Sequence, residues 1–300
     1  MTVPTAPTSH GQRGRDLIIR LRGGAGNQLF QYAAARSLVP PEQILAVRSA
    51  TVGQLSIETL LPGRLLFTET LAGRPGTQRR RFQHLRRVGD AVRHRVPALQ
   101  RRQLYSQHAA FDLAFEEKPR KFVVPRVLDG YFQHPSWYEP GVKAVMTELI
   151  EDAPAGFRTL LQGPAYAVVC VRRGDYEPLG QMLQDSYYAR CLQQLDPSLP
   201  VAFVGDDQAY LATLAEHTRQ AGRVIFEAAS VADDPAVHDF WVIAAATSVA
   251  MANSTFCWWA TSVGDQCRST QGRAVLFPEG WLRGHGEALR ASAWAVVGGS

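Results

Sequence analysis

Apolar residues along this chain switch between two spacings. Leu17, Ile18, Ile19 and Leu21 form a short β-type run, Gly23, Gly24 and Gly26 interrupt it, and Leu29, Phe30, Ala33, Ala34 and Leu38 then recur at helical spacing. The pattern predicts strand, glycine turn and helix. The helix is expected to stop at Leu38 or Val39, because Pro40 and Pro41 cannot continue its hydrogen bonding. Ala165 to Val171 is almost continuously apolar, as in a parallel strand covered on both faces. Val201 to Val204, Arg223 to Phe226, Val249 to Ala252 and Ala274 to Phe277 are further short runs separated by helical stretches. Such alternation predicts an α/β protein built of two doubly wound, Rossmann-like domains. Breakers at Asp152, Pro154, Gly156 and Pro164 place the expected boundary between residues 16–155 and 156–300. Met1 to Arg15, rich in Thr, Pro, Ser and Gly, reads as a flexible tail without the apolar core of a secretory signal. No apolar run approaches the ~18 residues of a membrane span, so a cytoplasmic protein is expected.

Composition sharpens the expected ligand. The 300 residues are 46% hydrophobic, enough for a full core, and carry 32 Lys+Arg against 27 Asp+Glu, a formal charge of +5. Arginine dominates the basic set, and guanidinium groups favour phosphates and carboxylates, so an anionic ligand is expected. Cys170, Cys191, Cys257 and Cys267 form no CxxC pair and have no matching His spacing, which signals neither zinc nor a disulfide framework and fits a reducing compartment.

The arginines at 79, 80, 81, 86, 87, 93, 95, 101 and 102 are interleaved with Phe82, Leu85, Val88, Val92, Val96 and Leu99 every three or four residues. A basic amphipathic helix, or a pair of them, is expected over Arg79 to Arg102. It reads as a solvated face, as a surface for peripheral association with an anionic membrane, or as a nucleic-acid-binding face. The nucleic-acid reading is set aside for the whole protein, because it leaves the glycine, arginine and Asn-Ser-Thr turns without a task.

Three turns carry candidate chemistry. Gly23-Gly24-Ala25-Gly26-Asn27-Gln28 opens a helix whose first N–H groups are free to face a ligand, or simply needs glycine for steric reasons. It lacks the full GxGxxG spacing with a following acidic residue, which counts against a nicotinamide-binding domain. Arg172-Arg173-Gly174-Asp175-Tyr176 follows a strand, where α/β ligands bind, and its adjacent arginines point to opposite faces, so one alone reaches a given phosphate. Ala252-Asn253-Ser254-Thr255-Phe256-Cys257-Trp258-Trp259 offers an amide and two hydroxyls to phosphate oxygens, beside tryptophans that read as core or as a ligand platform.

Together with Gly130-Tyr131-Phe132-Gln133, the Asp206-Asp207 pair and Asp239, these motifs resemble those of glycosyltransferase family 11, the α-1,2-fucosyltransferases, over about residues 16 to 280. The resemblance implies a GT-B arrangement and transfer of L-fucose from GDP-fucose to a sugar hydroxyl, such as the 2-OH of a galactoside. It also implies inversion at the anomeric carbon, with no metal or other cofactor. It implies a catalytic pair, Arg172 on the β-phosphate and Asn27 approaching from the other domain. It implies donor contacts from Gly24, Gly26, Gln28, Cys170, Arg173, Asp175, Asn253, Ser254 and Thr255, with Asp239 accepting hydrogen bonds from guanine. Cys170 stands where the family motif begins with His. Tyr131, Gln133 and Trp137 are the expected acceptor contacts, the aromatics stacking on a sugar ring or packing the interdomain seam. Asp175, Glu58, Asp112 and Glu139 are possible proton acceptors. A transferase of the same fold using another GDP-linked deoxy-sugar or GDP-mannose remains the alternative.

Overall fold

The computed structural model describes residues 16–48, 55–68, 115–268, 272–281 and 286–298, and the backbone of 104–106. The amino-terminal 15 residues, the basic region Arg79 to Arg102 and Asp112 lie outside the described residues.

Among the described residues two five-stranded sheets form, and every strand pairing there is parallel. The first contains β1 (Leu17–Arg20), β2 (Ile44–Val47), β3 (Leu66–Phe67), β4 (Leu104–Ser106) and β5 (Val127–Asp129), in the order β3-β2-β1-β5-β4. The second contains β6 (Ala167–Val171), β7 (Val201–Gly205), β8 (Ser248–Ala250), β9 (Ala274–Pro278) and β10 (Ala295–Val297), in the order β10-β9-β8-β6-β7. This is the expected α/β, GT-B-like organisation. In each sheet the chain leaves the first strand to one side and later fills the other, so β1/β5 and β6/β8 are the switch points where α/β sheets open a crevice.

The helices are α1 (Ala25–Arg36), α2 (Ile57–Leu60), α3 (Pro135–Glu151), α4 (Ala155–Gln162), α5 (Asp185–Gln194), α6 (Gln208–Gln220), α7 (Pro235–Ala245) and α8 (Thr255–Cys267). Strand β6 is buried along its whole length. Its Val168 and Cys170 join one hydrophobic cluster, while Ala167, Val169 and Val171 join another around Tyr187, Tyr188 and Leu211. Both faces of the second sheet are therefore covered, which explains the continuous apolar run.

The larger cluster runs unbroken from the first sheet to the second. At its centre Phe30 of α1 meets Tyr138 of α3 at 4.8 Å, Trp258 of α8 at 4.8 Å and Trp259 at 5.3 Å between ring centroids. The tryptophan pair is thus core: Trp259 is fully enclosed and Trp258 donates its indole N–H to the Leu289 carbonyl.

Two expectations need correction. Helix α1 ends at Arg36, with Leu38 and Val39 turning back onto the Ala35 carbonyl, so the chain leaves the helix before the prolines force it to. Arg223 to Phe226 makes a single bridge, Val201 to Ile225, rather than a strand, and Val224 is exposed.

Candidate functional site

The carboxyl edge of the second sheet gathers the charged residues. Arg172 follows β6 on the face shared by Val168 and Cys170. Its guanidinium meets Asp175 at 2.8 Å and Asp206, beyond β7, at 3.0 Å. The Tyr176 ring lies 5.5 Å from it, and the Tyr176 hydroxyl donates to the Asn253 carbonyl beyond β8 at 3.1 Å. Tyr176 is thereby a strut across the β6/β8 switch point. Arg173 follows the other face, as a period of two requires: it meets Asp207 at 3.3 Å and Asp185 at 3.7 Å, and lies over the Tyr210 ring at 4.0 Å. Asp206 also accepts the Arg173 backbone N–H at 2.9 Å.

Beside this edge, α8 begins at Ser254 without a side-chain cap, so no side chain satisfies the amides of its first turn. Asp239 of α7 is half-buried; burial raises its carboxyl to about 7, against a hydrogen bond from the Gly205 amide. No cation pairs with it among the described residues. Its raised carboxyl reflects burial without a compensating cation.

Helix α1, also uncapped, starts at the β1/β5 switch point of the first sheet. Gly23 has φ +66°, and a side chain there would meet the Asn27 amide nitrogen at 2.5 Å. A Cβ on Gly26 would lie 2.3 Å from the Phe256 backbone nitrogen, so the first turn of α1 sits directly on that of α8. Across this contact Asn27 Oδ1 accepts from Gln133 Nε2 at 2.8 Å and from the Thr255 hydroxyl at 3.0 Å. Phe132, just before Gln133, has φ +53°, a strained backbone for a bulky residue. One side-chain oxygen thus joins the two switch points.

No family model matches the chain, and no curated protein matches it in sequence. Among solved structures it is similar to the fucosyltransferase NodZ from Bradyrhizobium (TM-score 0.47, 15% identity, covering 83% of this chain and 93% of that one). It is also similar to a mutant of Arabidopsis thaliana FUT1 in complex with GDP (0.46, 12%, 88% and 70%). A third is the E. coli ADP-heptose heptosyltransferase II (0.44, 11%, 94% and 90%).

The structure reassigns several residues expected at the site. Gln28 is buried and used up internally, donating to the Gly23 carbonyl and accepting the Ile57 amide. Gly26 is covered by α8. Asn253 is buried, its amide donating to the Gln181 carbonyl, so it braces the turn rather than facing a ligand. Arg173 is spent on α5 and α6. Thr255 is buried and turned toward Asn27. Gln133 and Trp137 are fully buried, and the Trp137 indole donates to the Glu116 carbonyl between the Phe122 and Phe132 rings, which closes it to a sugar. Tyr131 stays half-buried against the core. Of the possible proton acceptors, Glu58 pairs with Arg48 at 2.8 Å, Asp175 with Arg172, and Glu139 is exposed on α3. Arg172, Asn27, Gly24, Ser254, Asp175 and Asp239 stand where the chain can present them to a ligand.

Cys170 is also closed off. It is buried, and its thiol, near Cys257 and Asp239, is pushed well up by burial. We expect Cys170→His to overpack this position and to lower the melting temperature of the unliganded protein, at a cost of about 1–3 kcal/mol. A variant that melts with the wild type and binds GDP more tightly would instead give the position to the nucleotide.

The pattern of residues did not single out the buried Asp129, which receives Arg22 at 2.5 Å and Arg20 at 3.3 Å at the carboxyl edge of the first sheet. The two-residue spacing of Arg20, the last residue of β1, and Arg22 just beyond it was the available signal, since continued extended backbone puts both guanidinium groups on one face.

Proposed function

We propose that this protein is an inverting fucosyltransferase of glycosyltransferase family 11 type, moving L-fucose from GDP-fucose to a sugar hydroxyl, the 2-OH of a galactoside. The observation that carries the reading is the convergence of both switch points at Asn27, with Arg172, Ser254 and Asp239 around them. That set suits one ligand class, a nucleoside diphosphate sugar. Asp239 accepts the N–H groups of guanine, the first turn of α8 and Ser254 take the diphosphate, and Arg172 meets the β-phosphate. The amino-terminal half supplies Asn27 and the acceptor side.

As the bond between the fucose C1 and the phosphate oxygen breaks, its electrons pass to the β-phosphate, whose growing charge Arg172 stabilises. The acceptor hydroxyl bonds to C1 from the opposite face. Its proton is then strongly acidic and passes to water, so a dedicated base is not required.

No divalent cation is needed in this scheme. Asp206 and Asp207, the pair most reminiscent of a metal-binding motif, are each bound to an arginine rather than converging on one point. Calorimetry with GDP, UDP and ADP should show GDP binding alone, and transfer should be unchanged by EDTA. Transfer abolished by EDTA and restored by magnesium or manganese would refute metal independence, and preference for UDP would refute the donor.

A further inference from the structure

We infer that Gln133 and Thr255 are positioning residues that fix the orientation of the Asn27 amide, turning its NH2 group toward the diphosphate of the donor. The inference rests on the proposed donor site and assigns these two residues a task other than touching substrate.

An asparagine side chain can be turned over with no change of shape, exchanging a double donor for an acceptor. At Asn27 the neighbours decide. Gln133 Nε2 and the Thr255 hydroxyl both donate to one atom, Oδ1, which thus has the two donors an amide oxygen can accept. The NH2 group then lies over Gly23, where the missing Cβ leaves room, and has no hydrogen-bond partner among the described residues. Gln133 is fully buried and its own Oε1 is unpartnered among the described residues, so it is held in place at a cost and gives its donor to Asn27 alone. Thr255 comes from the other half of the chain, at the start of α8. The donor face of Asn27 is therefore set only when both halves are in register.

The chain contains two asparagines, Asn27 and Asn253, so protein labelled with 15N-asparagine shows two side-chain amide pairs, and Asn27→Asp identifies the one that matters. On adding GDP, the Asn27 NH2 signals of the wild type should shift, and those of Thr255→Val and Gln133→Glu should not follow. In transfer from GDP-fucose, Thr255→Val should lose roughly 10- to 100-fold in kcat with KM and GDP affinity within about threefold, a loss of about 1.4–2.7 kcal/mol in transition-state stabilisation. Thr255→Ser, which keeps the hydroxyl, should recover most of it. Asn27→Asp keeps the acceptor and loses the donor, so adding Thr255→Val to it should cost nothing more in kcat. Should Gln133→Glu fail to fold, the Thr255 series decides. Thr255→Val at wild-type kcat, a double variant slower than Asn27→Asp alone, or Asn27 signals unmoved by GDP overturns the inference. Signals that respond to GDP as described in a protein that transfers no fucose leave the orientation standing and refute the sugar donor.

Discussion

Arg172→Ala should lower kcat for sugar transfer by roughly 10²–10³, about 2.7–4 kcal/mol, while weakening GDP binding far less. In the proposed reaction the charge that Arg172 opposes grows as the glycosidic bond breaks, so its contribution would fall chiefly in the transition state. The structure adds that the variant should fold. The two carboxylates it leaves behind are partly exposed, and Asp206 keeps the Arg173 amide, so surface-type pairing worth about 0–1 kcal/mol is all that is lost. Arg172→Lys should rescue in part, since an ammonium keeps the charge and loses the fork that holds two partners at once. Arg173→Ala is the internal control: its guanidinium faces α5 and α6, so it should lower the melting temperature with a small effect on kcat. Single-turnover transfer and GDP calorimetry on the three variants check this. Near-normal turnover of Arg172→Ala, or its loss in folded Arg173→Ala alone, contradicts the assignment.

The second large effect is expected at Asp239. Burial raises its carboxyl to about 7, above the ordinary 3.8, so the folded protein holds a proton there that the unfolded chain releases. The stability tied to that proton is complete below about pH 4 and is lost as pH rises through about 7. Asp239→Asn avoids the loss. It should raise the melting temperature of the unliganded protein at pH 8, by a free energy of at most about 4 kcal/mol, with little change at pH 4. If Asp239 holds guanine as proposed, the same substitution should weaken GDP binding by about 2–3 kcal/mol, because charge-assisted hydrogen bonds would be replaced by those of a neutral acceptor. In the wild type, GDP affinity should fall up to about tenfold per unit as pH drops below 7. Thermal unfolding and GDP titration from pH 5 to 8 measure both effects. A variant less stable at pH 8, or one that binds GDP as the wild type does, removes Asp239 from the site.

The sequence was most legible where one strand and one turn supply the whole signal. Leu17 to Gly26 and Ala165 to Asp175 gave their strands and their turns, because a buried parallel strand is apolar throughout and the residue after it stands at the sheet edge. The alternation at Arg172 and Arg173 correctly implied opposite faces. Strands of two to four residues, such as Leu66–Phe67 and Val127–Asp129, carry too few positions for a period to show. Burial was the harder quantity. Gln28, Gln133, Asn253 and Thr255 are polar residues in motifs that look ligand-facing, yet each is turned inward by a partner distant in sequence, which no local pattern records. The Asn27 contact joins residues 228 positions apart.

The most direct measurement is transfer itself: purified protein incubated with GDP-fucose, GDP-mannose and UDP-galactose, each with and without a galactoside acceptor, the products weighed by mass spectrometry. The account predicts a product heavier by one deoxyhexose with GDP-fucose, and no transfer from the uridine donor. Transfer from the uridine donor, or no transfer from GDP-fucose with galactoside present, would contradict it.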